Sequence, residues 1–233
     1  MKNTMRIITG KYKGRHFDIP RTFKARPTTD FAKENLFNVL TAYVDFEGAA
    51  ALDLFAGTGS ITLELLSRGC APVVCVELDR DHHRFIQQCI MKLQGDANGQ
   101  RSKVKGQRSM VSHQPSAVRH QTSAVRHQTS DIHCQCIRGD VFRFVKSCRH
   151  QFDFIFADPP YALKELASIP DLILGAPNAD PSQLTPRPSL LKPGGVFVLE
   201  HGSDHDFSNH PHLVDHRQYG SVNFSLFQTP EGL

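Results

Sequence analysis

Two hydrophobic rhythms alternate along this chain. Short, nearly continuous apolar runs bounded by Gly, Pro or acidic residues mark buried strands at 49–55, 72–76, 132–138, 152–157 and 195–200. Between them, 61–68, 79–93 and 162–174 read as helices. Strand and helix in repeated succession argue for an α/β fold with a mostly parallel sheet. Two last strand-like stretches, 212–219 and 221–228, flank Gly220 with almost no connector and read as an antiparallel hairpin closing the sheet edge. At the other end, 6–10 and 14–19 read as a short hairpin with Lys11-Tyr12-Lys13 at its tip. Pro27 then keeps the chain from turning helical earlier; Thr28 is the expected N-cap, with Asp30 in the first turn and Leu36, Val39, Leu40 and Tyr43 on a core face.

The 233 residues suffice for one sizeable core and a small appendage. Net charge is +4, but residues 1–27 hold eight Lys or Arg against Asp18 alone, a local +7 that leaves the remainder at −3. A basic arm on a mildly acidic body suits a polyanion docking at the N terminus, although exposed basic residues on a hairpin are often only solvated. The expected organisation is a basic hairpin extension over 1–27, a main domain over 28–233, and within it an insertion over 95–131. Residues 101–128 parse as four heptads with one Val each, too few apolar positions for a coiled-coil seam, so disorder is expected. His113, His120 and His127 recur because the heptad does. A second, Pro-dotted stretch, 176–188, has no readable role. The six cysteines show no C-x-x-C spacing; Cys134-Gln135-Cys136 puts two thiols on one side of a strand, without a second pair, so no metal is expected. Neither a signal peptide nor a membrane-length apolar run is present, which makes the cytoplasm the default.

Candidate chemistry concentrates at strand ends. Asp158-Pro159-Pro160-Tyr161 directly follows the 152–157 run. Two prolines preset φ and bring no N–H, so the loop offers a carboxylate, a carbonyl and an aromatic face together. An exocyclic amine on a base has its lone pair delocalised and is a poor nucleophile. Two acceptors holding its N–H groups, with Tyr161 stacked on the ring, would aim that lone pair. In isolation the same residues are also an ordinary Pro-rich turn. Upstream, Asp53 near a strand end runs into Ala56-Gly57-Thr58-Gly59-Ser60 and a helix, where backbone can approach a ligand. Thr62 stands where a dinucleotide fingerprint wants Gly or Ala, and Asp53 suits an amine better than a pyrophosphate. S-adenosylmethionine carries such an amine. Glu77, at the tip of the next strand, is placed for ribose hydroxyls or, alternatively, for capping the following helix. Gly139-Asp140 is placed for the adenine amino group, or is a simple turn.

On these residues the chain resembles the class I S-adenosylmethionine-dependent methyltransferases that act on exocyclic nitrogen. Arg26-Pro27-Thr28-Thr29-Asp30 followed by Lys33-Glu34-Asn35-Leu36-Phe37-Asn38, then 53–60 and 158–161 in that order, is similar to the signature of the RsmD family, over roughly 5–94 and 132–229. The resemblance implies a Rossmann-like, mostly parallel seven-stranded sheet with a C-terminal antiparallel hairpin, plus a small N-terminal β-hairpin and helix. It implies methyl transfer to N2 of a guanine in bacterial 16S ribosomal RNA, free or in the small subunit. Cofactor binding would fall to Asp53, Phe55, Gly57, Gly59, Glu77 and Asp140, and catalysis to Asp158, Pro159, Pro160 and Tyr161. RNA contacts are expected at Arg6, Lys11, Lys13, Arg15, Arg26, Thr28 and Thr29, in a monomer without metal. Two other functions share parts of the pattern: an adenine-N6 methyltransferase on RNA or DNA, and a noncatalytic RNA-binding assembly factor. The intact glycine loop and Asp158-Pro159-Pro160-Tyr161 argue against the second of these.

Overall fold

The computed structural model describes residues 4–23, 29–105, 132–175 and 188–230. In chain order these form β1 (Thr4–Arg6), β2 (His16–Asp18), α1 (Asp30–Leu40), β3 (Ala51–Leu54), α2 (Ser60–Ser67), β4 (Val73–Glu77), α3 (Arg80–Lys105), β5 (Cys134–Arg138), α4 (Val141–Ser147), β6 (Phe152–Ala157), a 3₁₀ turn (Leu166–Ser168), α5 (Ile169–Leu174), β7 (Leu191–His201), β8 (Leu213–Tyr219) and β9 (Val222–Gln228). Seven strands make one sheet in the order β5-β4-β3-β6-β7-β9-β8. The first five run parallel and β9 pairs antiparallel with both β7 and β8, so the C-terminal hairpin closes the sheet as expected.

Continuous apolar strands demand cover on both faces, and they have it. One face packs against α1, α2 and α3 through Leu36, Phe37, Leu63, Ile86 and Leu93. The other meets α4 and α5 through Val141, Val145, Ile169 and Ile173. From β3 the chain winds outward through β4 to β5 and then restarts on the opposite side with β6. The switch point in strand order thus falls between β3 and β6, and ligands of such sheets bind beyond the carboxyl ends there.

Four local expectations change. The helix expected over 162–174 is shortened to the 3₁₀ turn and α5, because Pro170 has no N–H to return to a preceding carbonyl and is tolerated only in a first turn. Thr29 and not Thr28 caps α1, its Oγ1 accepting the Ala32 N–H at 3.2 Å; Thr28 lies outside the described residues. α3 does not stop at Leu93 but continues to Lys105, at ~1.5 Å per residue some 39 Å in all, past the end of five-residue strands. The rest of the heptad region and the 176–187 stretch lie outside the described residues.

The fourth concerns the basic hairpin, which is built into the domain. Met5, Ile7, Tyr12, Phe17 and Ile19 belong to the same buried cluster as α1 and α2. Its turn is clamped onto α2. The Ile8 and Thr9 N–H groups donate to the two Glu64 carboxylate oxygens at 2.8 and 3.0 Å, Lys11 N donates to the Ser67 carbonyl at 2.7 Å, and Tyr12 N donates to Ser67 Oγ at 2.9 Å. Gly10, at φ +86°, is required there: a Cβ would stand 1.9 Å from the Ser67 carbonyl oxygen. Lys33, buried like Glu64, donates from Nζ to the Arg6 carbonyl at 2.6 Å and to Ser60 Oγ at 3.0 Å. Burial holds its ammonium pKa below the usual value, opposed mainly by Glu64 at 3.9 Å.

Candidate active site

Every parallel strand from β5 to β7 ends on one edge of the sheet, and each brings an acidic residue there. Asp53, the third residue of β3, is 2% exposed. Thr62 on α2 donates from Oγ1 to its Oδ2 at 2.5 Å. Burial pushes the Asp53 carboxyl up to about 7, the Thr62 bonds oppose that, and the charges of Asp158 and Glu77 add to it. Thr62 is thus the clamp that orients Asp53, a role its sequence position did not reveal.

Beyond β3 the backbone turns through Phe55 at φ +58°, Gly57 at +54° and Gly59 at +76°. Phe55 is the only non-glycine among the described residues with positive φ, a sparsely populated state that costs on the order of 1–3 kcal/mol and gathers at functional sites. Its ring packs edge-on against Phe142, the centroids 6.2 Å apart. Gly59 caps α2, and a Cβ there would meet Ile86 Cγ1 at 2.8 Å. A Cβ on Gly57 would find only the Phe55 carbonyl, at 3.8 Å, so the space above this turn is open.

Glu77 ends β4 and ties two loops together, accepting the Gly57 N–H and the Asp79 N–H, each at 2.7 Å. The helix cap proper is Asp79, whose Oδ1 accepts from Asp81 and His82. A carboxylate has about four acceptor positions, so these two bonds leave Glu77 capacity for hydroxyls. Asp140, after β5, caps α4 with Oδ1 accepting the Arg143 N–H at 2.8 Å, a third role beside the two expected.

Asp158 follows β6, and its N–H donates to the Leu54 carbonyl at 3.3 Å, which brings this loop against the end of β3. The β6–β7 register pairs Ala157 with Leu199, so the next residues, Asp158 and Glu200, are neighbours. Asp158 keeps some open surface, yet protein atoms enclose its carboxylate; burial first, then the Glu200 charge, hold its pKa well above the usual range. Pro159 is buried, and Pro160 is exposed with its carbonyl accepting the Leu163 N–H. Tyr161 is 44% exposed. Its hydroxyl donates to Glu200 Oε1 at 3.3 Å, and burial followed by the Glu200 and Asp158 charges raises the phenol pKa. Its ring lies over Gly202, where a Cβ would stand 3.2 Å from Cδ2. Glu200 was not foreseeable from the sequence, because only the strand register puts it beside Asp158.

The basic candidates divide. Arg6 pairs through Nε with Asp30 at 3.1 Å, Lys11 and Lys13 are exposed at the hairpin turn, Arg15 is half-exposed, and the Thr29 hydroxyl is taken up by its cap; Arg26 and Thr28 lie outside the described residues. Because Lys33 bridges Arg6 and Ser60, the Arg6 end of the hairpin lies near the glycine loop. The Lys11–Lys13 turn sits at the Ser67 end of α2, roughly 12 Å away for eight residues. A cleft of about 570 Å³ lined by Tyr43, Asp45, Glu47, Asp153, Lys192 and Gly195 opens at the amino ends of β3, β6 and β7. It is on the wrong edge of the sheet for the acidic cluster.

Residues 5–124 match the family model described as Conserved hypothetical protein 95. YlbH of Bacillus subtilis, named provisionally as an rRNA methyltransferase, is 30% identical over 200 residues, 84% of this chain and 82% of that protein. Ribosomal RNA small subunit methyltransferase D of Escherichia coli is 43% identical over 76 residues, 33% of this chain and 37% of that protein. Among solved structures, yhhF of Escherichia coli, described provisionally as a methyltransferase, aligns with a TM-score of 0.67 at 21% identity, over 98% of this chain and 99% of that one. Fold and sequence therefore agree, and this chain belongs to the RsmD family of class I methyltransferases.

Proposed function

We propose that this protein transfers a methyl group from S-adenosylmethionine to the exocyclic N2 amine of a guanine in 16S ribosomal RNA. The observation that carries the proposal is the meeting of the Asp158–Tyr161 loop and the glycine loop at the β3/β6 switch point, joined by the Asp158–Leu54 hydrogen bond. The names of the relatives supply the ribosomal RNA class of substrate.

The pocket chemistry fits the cofactor. Asp53, Glu77 and Asp140 are all acceptors, and the cofactor's amine, ribose hydroxyls and adenine amino group all donate. Asp53 would hold the amine, Glu77 the ribose, and Asp140, through the oxygen its cap does not use, the adenine; Phe55, Gly57 and Gly59 shape the open turn beside it. When bound, the cofactor supplies an electrophilic methyl carbon and a positive charge. That charge favours the ionised form of Asp158, which otherwise resists ionisation. The Asp158 carboxylate and the Pro159 carbonyl would accept the two N–H groups of the guanine amine, aiming its lone pair, and the Asp158 carboxylate would take up the proton that the amine loses. Tyr161, half-exposed, stacks on the base and is fixed by Glu200. Arg6, Lys11, Lys13 and Arg15, with Arg26, Thr28 and Thr29, take the RNA backbone.

The test supplies isotopically labelled S-adenosylmethionine and small subunits from cells lacking the gene, then digests the RNA to nucleosides. Label is expected in N2-methylguanosine and absent with Asp158→Ala. Label in N6-methyladenosine would replace guanine by adenine as substrate, and no incorporation into RNA would overturn the assignment.

A further inference from the structure

Three of the six cysteines converge. Cys75 on β4 and Cys136 on β5 are direct register partners, and Cys134, two residues before Cys136, projects on the same face. The three Sγ atoms lie within 4.8 Å of one another, with Cys75 and Cys136 at 2.9 Å. Cys75 is buried, while Cys134 and Cys136 on the edge strand are half-buried, so the cluster is reachable from outside. Above it runs α3, whose His83 ring nitrogen lies 3.3 Å from the Cys136 carbonyl. None of these sulfurs takes part in the proposed methyl transfer.

Cysteines that merely fill space have no reason to aim three sulfurs at one point. An ion bound by ~2.3 Å metal–sulfur bonds in a trigonal plane spreads its sulfurs to about 4 Å, within the separations found here once Cys75 and Cys136 part slightly. A disulfide fits less well. On parallel strands in register, the Cα–Cβ bonds point the same way, so the Cβ atoms stay near the ~4.8 Å strand spacing, beyond the ~3.5–4.5 Å a disulfide spans. Among the described residues no His, Asp or Glu joins the three thiols. Zinc almost always takes four ligands, whereas soft thiolates alone suit cuprous copper.

We propose that Cys75, Cys134 and Cys136 form a three-sulfur site for a thiophilic monovalent cation, cuprous copper being the probe that defines it. Each thiol gives up its proton as its sulfur takes the ion. Bound copper would bridge β4 to the edge strand β5 two residues before Glu77, stiffening that corner of the sheet without touching the chemistry.

The full chain, kept reduced and anaerobic, is titrated with cuprous copper against bicinchoninate. One equivalent is expected to be withdrawn from the chelator, to raise the melting temperature by several degrees, and to show three sulfur neighbours by X-ray absorption. Cys136→Ser should lose that equivalent and Cys148→Ser keep it. Cys134→Ser serves the same purpose if Cys136→Ser melts abnormally. The proposal fails if the wild-type chain takes no copper, if both serine variants at 134 and 136 retain it in full, or if zinc is bound with a fourth ligand and copper is not.

Discussion

At the scale of single residues, two of the site's carboxylates, Asp53 and Asp158, are held against their inclination to ionise. Asp53 illustrates the sign. Its pKa is raised from the ordinary carboxylate value to about 7, so its contribution to stability is complete below the unfolded value near 4 and is lost as pH rises through 7. The unliganded protein should therefore be more stable at pH 5 than at pH 8 by an Asp53-dependent amount, up to ~3 kcal/mol, and Asp53→Asn should flatten that slope. An unchanged slope in the variant would mean that other groups set it. Asp158 predicts a kinetic counterpart. Its acceptor form exists only above its raised pKa, so kcat/KM should fall on the acidic side. Replacing Glu200 with Gln removes the neighbouring like charge and should move that limb to lower pH, a shift visible in a pH–rate profile even if Tyr161 loosens. Asp158 to Tyr161 were legible from sequence because their chemistry is contiguous. Glu200 and Thr62 were not, since one acts across a strand register and the other along a helix turn, and neither relation is written in a run of letters.

At the scale of elements, the hairpin and α2 form one unit around Glu64, which is 0% exposed and holds two hairpin N–H groups and Arg68, whose Nε lies at 3.1 Å. Breaking a buried charge network by deleting one partner typically costs ~3–5 kcal/mol. Glu64→Ala should lower stability by about that much and release the hairpin to proteolysis, read by denaturant melts and limited digestion. A loss of under about 1 kcal/mol would mean water replaces the carboxylate easily. Basic residues in the first 27 positions suggested an arm, but the alternating Met5, Ile7, Phe17 and Ile19 show why it is pinned: their faces need a core, and α2 provides it. The central strands were the most legible, as with β6 over Phe152–Ala157, because continuous apolar runs end sharply, whereas β1 ends at Arg6, where the first hairpin strand was expected to begin, and β7 starts at Leu191, ahead of the 195–200 run. The helix after Tyr161 is shorter than its leucines and isoleucines suggest because Pro170 can stand only in a first turn.

At the scale of the molecule, charge is polarised: acidic groups fill the strand-end crevice while Lys11 and Lys13 lie about one helix length away along α2. RNA docked on the hairpin would run toward the acidic crevice at the strand ends. Lys11→Ala with Lys13→Ala should leave S-adenosylmethionine affinity unchanged and reduce the slope of log affinity for RNA against log salt by roughly 0.7–0.9 for each phosphate left without its lysine. An unaltered slope would move the RNA elsewhere. Opposite the pocket, β5 starts on the sheet's amino edge, away from the acidic cluster, while residues 106–131 lie outside the described residues. Replacing residues 107–130 with a short Gly-Ser linker should keep cofactor affinity and methylation within about threefold, because loop length costs only ~0.6 kcal/mol per doubling. A shortened protein that binds cofactor yet no longer methylates would give the repeat a role in substrate capture. The mostly parallel sheet and its closing hairpin could be anticipated because strand and helix patterns alternate, whereas the hairpin's mooring could not, since it depends on partners more than fifty residues away.

That mooring also sets an order in time. Ile8 and Glu64 are 56 positions apart, so on a ribosome extending the chain by about 5–20 residues per second the hairpin emerges roughly 3–11 s before the carboxylate that seats it. Until then the cationic hairpin lacks the Glu64 carboxylate that seats it, and Asp158 of the proposed site follows later still. The hairpin acquires its working shape only once α2 has arrived.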